Sequence, residues 1–227
     1  MSDRGPVSPT GPSKSRPVKT GIYGGTFDPI HRGHVEPVLA AAGLLGLDRV
    51  LYLPTAQPPH KRGRRTAPAW RRFAMVELAL LDIDSFEVST FELDEEVAFT
   101  IDTIEHFERT LPDDQLFLIL GADSFRALET WRRGDDIAAR IDLAVLARPG
   151  STLEPNELAE PQRLAIEAGR VHFVRHPPIA ASSTEIRRHL ASGESPPDGW
   201  LDGRVLNYAL KYRLYRDGST TPSNDQE

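Results

Sequence analysis

The chain has 227 residues, a net charge of -6 with a sequence pI near 5.7, and no cysteine. That length suits one ample domain and is short for two. The missing cysteine excludes disulfides, thiolate metal sites and a cysteine nucleophile, and the acidic balance argues against a protein that coats duplex nucleic acid.

No apolar run reaches the roughly 18–20 residues of a membrane span. The N-terminus lacks the apolar core of a secretory signal, so the expected location is the cytoplasm. Residues 1–17 are rich in Pro, Ser and Gly and read as a disordered tail, as do residues 217–227. Between them, 18–216 reads as one domain. Strands are expected at 18–23, 49–53, 86–90, 116–120, 141–147 and 171–174. Helices are expected at 34–46, 68–82, 101–110, 124–131, 135–140, 157–168, 183–192 and 202–212. Alternation at this spacing predicts βαβ units, hence an α/β fold with a Rossmann-like, doubly wound parallel sheet and a small C-terminal helical part. Its site should lie at the carboxyl ends of the strands. The first strand is not followed by the GxGxxG dinucleotide fingerprint.

Three stretches fall at that edge. The first is GGTFDPIHRGH, Gly24 to His34. Gly24 and Gly25 lack side chains, so a phosphate or sugar can approach the backbone. Thr26 adds a hydroxyl. Pro29 biases Asp28 away from helical geometry. His31 and His34 then open a helix expected to carry Val38, Leu39 and Ala42 inward. At i, i+3 spacing both rings can share one side, with Gly33 keeping the space between them clear. A helix N-terminus attracts anions through its open N–H groups and its dipole, and two imidazoles there can donate to phosphate oxygens. Alone, an HxxH pair is more often two surface histidines. A zinc site would need a third ligand that is not evident, so no metal site is expected.

The second stretch is Gly121-Ala122-Asp123, in which Asp123 could cap the helix from Ser124. The third is Ser182-Ser183-Thr184, hydroxyls and N–H groups at a helix start, with Arg187 one turn on.

The string GGTFDPIHRGH resembles the signature of the nucleotidyltransferases related to the HIGH-motif class I synthetases, and more narrowly the nicotinate-nucleotide adenylyltransferase family. Five further motifs extend the resemblance over about 18–216. They are PTAQPPHK (Pro54–Lys61), FTIDTI (Phe99–Ile104), GADSFRALETW (Gly121–Trp131), ARPG (Ala147–Gly150) and SSTEIR (Ser182–Arg187). The resemblance implies a reaction of ATP with nicotinate mononucleotide that yields the deamido dinucleotide and pyrophosphate, in NAD biosynthesis. Its nucleophile is a phosphate, already anionic, so no general base is needed, and catalysis reduces to positioning and charge stabilisation. Mg2+ would be held mainly by ATP phosphates and water.

By the same resemblance, His31, His34 and Arg187 serve the ATP phosphates, with Gly24, Gly25, Thr26, Ser182, Ser183, Thr184 and Gly121 around the nucleotide. Asp123 would accept from a ribose hydroxyl. Lys61 would lie near the substrate phosphate and Trp131 would stack on the nicotinate ring. Backbone N–H groups near Thr100 would read its carboxylate, beside Phe99. The expected partners are ATP and the mononucleotide, without nucleic acid or membrane; a homo-oligomer is left open.

The family usually carries a small residue and Ser-Tyr-Thr where this chain has Val97-Ala98-Phe99-Thr100, and an aromatic where it has Arg132. Glu95 and Glu96 oppose a carboxylate substrate, whereas Arg132 attracts one. Nicotinamide mononucleotide is therefore the alternative acceptor. A catalytically silent nucleotide-binding regulator is the alternative of another class.

Overall fold

The computed structural model describes residues 16–56, 66–95, 97, 99–147 and 158–216. Six parallel strands form one sheet in the order β3-β2-β1-β4-β5-β6: β1 (Lys19–Gly25), β2 (Arg49–Pro54), β3 (Phe86–Val88), β4 (Gln115–Gly121), β5 (Asp142–Ala147) and β6 (Val171–Arg175). Neighbours β1 and β4 run from the sheet's middle in opposite directions of winding, which makes their carboxyl ends the switch point. The register opens a crevice there. β1 pairs with β4 only through Ile22↔Leu118, but with β2 through Gly25↔Pro54. Past Ile22 the two central strands part.

The strands are apolar on both faces, as buried parallel strands must be. Alternation divides them. Ile22, Leu118, Leu120, Leu143 and Val145 pack on one face with Ile104 and Phe125. Tyr52, Ile119 and Ala144 pack on the other with Val38, Met75 and Val76.

The helices among the described residues are α1 (Arg32–Leu45), α2 (Ala69–Leu80), α3 (Phe91–Asp94), α4 (Thr100–Thr110), α5 (Ala122–Arg126), α6 (Gly134–Arg140), α7 (Glu160–Glu167), α8 (Ser183–Ser192) and α9 (Gly203–Lys211). Three details correct the sequence reading. α1 buries Val38 as expected, but together with Pro37 and Ala41; Leu39 is 41% exposed and Ala42 is half-buried. The strand expected at 86–90 ends at Val88 and gives way to α3, which is too short to show a period. The helix expected at 124–131 breaks into α5 and a single 3-10 turn, Leu128–Thr130. Two contacts hold that break. The Thr130 hydroxyl donates to the Ala127 carbonyl at 2.7 Å. Gly134 lies so close to Leu128 that a side-chain carbon there would sit 1.9 Å from the Leu128 carbonyl oxygen.

At the amino edge of the sheet, buried Thr20 donates to Asp114 at 2.5 Å, and Arg49 reaches both, at 2.9 Å from Thr20 Oγ1 and 2.8 Å from Asp114 Oδ2. This triad fastens β1, β2 and the turn before β4. At the other side of the molecule α9 packs on α2, where the Arg71 guanidinium lies 3.9 Å from the Tyr212 ring centre and bonds the Tyr208 hydroxyl at 3.0 Å.

Candidate active site

The loop after β1 brings two helix starts together: that of α1, which follows β1, and that of α8, which follows β6. His31 is the N-cap of α1 and His34 its third residue, and the two form a reciprocal cap. His31 Nδ1 accepts the Gly33 N–H at 3.1 Å, and His34 Nδ1 accepts the His31 N–H at 3.2 Å. An imidazole nitrogen that accepts carries no proton, so each ring's proton is on Nε2. The rings lie 3.8 Å apart between centroids. Phe27 meets the His34 ring edge-on at 5.4 Å, and the Tyr52 hydroxyl holds the His34 carbonyl at 3.0 Å. Phe27 does this with a left-handed backbone, φ 48, which a bulky residue adopts only when its surroundings hold it.

The glycines divide by what surrounds them. A side-chain carbon on Gly33 would meet His31 Cε1 at 2.9 Å and Nδ1 at 3.0 Å, so this position is glycine for the histidine's sake. One on Gly25 would strike the Phe27 ring at 2.8 Å. Gly24 and Gly121, at the parted ends of β1 and β4, face open space: a side-chain carbon meets only Glu92 at 3.8 Å from the first and no atom within 4 Å of the second.

The start of α8 is stitched to the same loop. Ser182 caps α8 by accepting the Glu185 N–H at 3.2 Å. The Ser183 hydroxyl donates to the Pro29 carbonyl at 3.0 Å. Its proton is thus committed, and what Ser183 and Thr184 offer an anion is their first-turn N–H groups, which the helix itself leaves without acceptors. Arg187 Nη1 donates to the Asp28 carbonyl at 2.5 Å and lies 3.7 Å from Asp28 Oδ2, while Nη2 donates to Thr184 Oγ1 at 3.2 Å. Thr26 is half-buried in the loop between. The Asp28–Pro29 peptide bond is cis.

Three groups here escaped the sequence reading. Arg72 is 1% exposed and holds four carbonyls: Ala67 at 3.0 Å, Thr26 at 2.8 Å, Thr55 at 2.6 Å and Ala56 at 3.0 Å. Burial lowers its guanidinium from the usual arginine range. It lies on the inward face of α2 with Met75, Val76 and Leu80, and that period was the signal available in the sequence. Glu92 of α3 is buried beside Gly24 and accepts from Thr103 at 2.9 Å; burial pushes its carboxyl up to about 7 against the pull of that bond. Tyr215, beyond α9, donates to Asp28 Oδ1 at 2.8 Å.

The other predicted residues among those described come from the starts of α4 and α5 and from the turn after α5. Gly121, not Asp123, is the N-cap of α5; Asp123 is in the first turn with its side chain 95% exposed, paired with Arg126 at 2.9 Å. Phe99 and Thr100 open α4. Trp131 follows the 3-10 turn, partly buried against the core. The Arg132 guanidinium lies over the Phe99 ring at 4.6 Å, which joins the two segments. A cavity of about 610 Å³ lined by Phe91, Glu95, Phe99, His106, Arg109 and Arg132 opens here; neither histidine of the α1 cap lines it. Lys61, Glu96, Ala98, the PPHK segment, Arg148-Pro149-Gly150 and both tails apart from residues 16 and 17 lie outside the described residues. Among the described residues no group of three or more His, Asp or Glu side chains is placed to hold a metal ion, and no helix is long and apolar enough to cross a membrane.

The sequence model of the Cytidylyltransferase-like family matches residues 22–189. A protein of Solibacter usitatus named "probable nicotinate-nucleotide adenylyltransferase" is 42% identical over 200 residues, which cover 87% of this chain and 100% of the relative. One of Pseudomonas putida with the same name is 39% identical, with 90% and 98% covered. The fold matches the nicotinic acid mononucleotide adenylyltransferase of Plasmodium falciparum complexed with APC, with a TM-score of 0.71 at 17% identity and 87% and 97% of the chains covered. The same enzyme complexed with NaAD matches equally, at 0.71 and 18%. A parallel sheet wound about β1 and β4, a mutually capped histidine pair and a relationship that spans the whole length of these relatives lead to one assignment: the chain belongs to the nicotinate-nucleotide adenylyltransferase family of cytidylyltransferase-like proteins.

Proposed function

We propose that this protein joins ATP and nicotinate mononucleotide into nicotinate adenine dinucleotide, releasing pyrophosphate, as a step of NAD biosynthesis in the cytoplasm. The observation that carries this reading is the paired helix start. The first turn of α1 contains no acidic residue, and its two imidazoles are capped through Nδ1 so that the proton of each is on Nε2. That is a donor set for the oxygens of a polyphosphate.

In this reading the 5′-phosphate of the mononucleotide attacks the α-phosphorus of ATP and pyrophosphate leaves. His31 and His34 donate to the phosphate oxygens as charge moves toward the bridging oxygen. The N–H groups of Ser183 and Thr184, with Ser182 as their cap, and the Arg187 guanidinium hold the β- and γ-phosphates. Gly24, Gly25, Thr26 and Gly121 leave room for the nucleotide along the parted strands, and Asp123, whose carboxylate is open to solvent, accepts from a ribose hydroxyl. Mg2+ would be held mainly by the ATP phosphates and water, and would supply charge neutralisation for the leaving pyrophosphate. Trp131 stacks on the pyridine ring, Phe99 lines its pocket, N–H groups near Thr100 read the carboxylate, and Lys61 approaches the mononucleotide phosphate.

Nicotinamide mononucleotide is the second reading, favoured by Glu95 in the cavity that Phe99 lines. Arg132 on the Phe99 ring favours the acid. The test is pyrophosphate release from ATP with each mononucleotide. An amide that leaves the site's donors unpaired costs about 1–3 kcal/mol, so kcat/KM should favour the acid by roughly 5- to 150-fold. A ratio near one, or in favour of the amide, overturns the choice of acceptor; no pyrophosphate with either overturns adenylyl transfer.

A further inference from the structure

Asp28 is 2% exposed, and its carboxylate meets donors from three distant parts of the chain. Oδ1 accepts the Ala67 N–H at 3.0 Å and the Tyr215 hydroxyl at 2.8 Å. Oδ2 is 3.7 Å from Arg187 Nη1. The Arg187 side chain is 17% exposed, and its bond to Thr184 Oγ1 in the first turn of α8 lies at the surface.

Asp28 and an incoming phosphate compete for this guanidinium. A carboxylate with both oxygens open to an arginine grips it through two parallel bonds, the stronger arrangement. Here two other donors occupy Oδ1, and the contact from Oδ2 stays long. Burial lifts the Tyr215 hydroxyl well above the usual tyrosine range, which keeps it a donor throughout neutral pH. The backbone supports the same purpose: Arg213 and Tyr215 both have left-handed φ, 53 and 69. Neither residue type adopts that conformation unless its surroundings fix it.

We propose that Tyr215 is a positioning residue for adenylyl transfer: its hydroxyl occupies Asp28 Oδ1 and so keeps Arg187 available to the phosphates of the nucleotide. The inference rests on the reading above, in which Arg187 meets ATP. Tyr215 lies beyond all six motifs, so the phosphate site is completed from the far end of the fold.

The test is calorimetric titration with Mg-ATP of the full chain, Tyr215→Phe, Arg187→Ala and the double variant, with KM for each substrate measured alongside. Tyr208→Phe, which removes the hydroxyl bound to Arg71, is the control. Losing one hydrogen bond to a charged group should weaken ATP binding by roughly 10-fold in Tyr215→Phe. The KM for the mononucleotide and the ATP affinity of Tyr208→Phe should stay unchanged. In the Arg187→Ala background, Tyr215→Phe should have no further effect on ATP, because the two act through one contact. Unchanged ATP affinity in the single variant, or an equal loss with and without Arg187, overturns the proposal and makes Tyr215 a structural residue only. A wild type that binds ATP but forms no dinucleotide overturns the reaction instead, since the titration needs no acceptor. A wild type that binds no ATP overturns both.

Discussion

His31 and His34 cap the same helix through each other: the N–H of His31 donates to His34 Nδ1 at 3.2 Å, while His31 Nδ1 accepts from Gly33 at 3.1 Å. Each imidazole therefore has a structural edge and a chemical edge. Substitution can separate the two. His31→Ala should lose about 1 kcal/mol of stability with the cap and at least about 100-fold in turnover with the donor. His31→Asn should restore the first and not the second, because asparagine caps well. His34→Ala should lose turnover to a similar extent. Melting curves and steady-state rates on the same preparations decide this. Turnover restored by asparagine would mean that the ring acts only as a cap.

Gly33→Ala reverses the usual helix arithmetic. Alanine is favoured over glycine inside a helix by about 1 kcal/mol. Here its methyl would press on the His31 ring at 2.9 Å and 3.0 Å, with the Ala181 carbonyl at 3.5 Å on the other side. The ring has to turn, and its cap to Gly33 is lost. Turnover should fall by about 10-fold or more in a folded protein. Gly43→Ala in the same helix meets no atom within 4 Å and should stabilise without changing the rate. Equal rates in both variants would separate His31's orientation from catalysis.

Arg187→Ala should raise the KM for ATP by about 10-fold or more and leave the mononucleotide KM nearly unchanged. Arg187→Lys should recover only part, since one ammonium cannot serve Asp28, Thr184 and a phosphate from a planar fork. Varying each substrate separately checks it. An effect confined to the mononucleotide would place Arg187 on the other phosphate.

Glu92 predicts a pH dependence of stability. Its carboxyl is raised by burial from 4.5 to about 7 in the folded protein. The folded state therefore holds a proton that the unfolded chain releases. The stability this contributes is complete below 4.5 and is lost as pH rises through 7. Glu92→Gln stays neutral and still accepts from Thr103. It should be more stable than the wild type near pH 8 by up to about 3 kcal/mol, with the gap closing near pH 5. Denaturant curves at the two pH values test this; parallel curves would show that Glu92 does not titrate in that window.

The architecture was legible because the strands are short apolar runs and the long helices carry a helical period, and the loop after β1 because GGTFDPIHRGH is one continuous string. What was hidden needed the third dimension. Asp28 and Tyr215 are 187 residues apart, and no local pattern links them. α3 has four residues, fewer than a helical period needs to declare itself. The expected 124–131 helix had sound propensity, and Gly134 against the Leu128 carbonyl overrode it. Asp123 looked like a cap, but the end of β4 delivered Gly121 to that place. Arg72 is the intermediate case: its helical face was readable, and its four carbonyl partners were not.

The Thr20–Arg49–Asp114 triad gives the molecule a region open to engineering. β1 has seven residues, so its two ends are about 20 Å apart. Salt at physiological strength damps charge over about 8 Å. Redesigned charges around the amino edge are largely screened from the loops at the carboxyl end of the sheet. Stabilising changes usually tax activity when they stiffen working parts. Here the working parts are a full strand length away, so solubility, thermal tolerance or a surface tether can be tuned at that edge with the rate constants left intact.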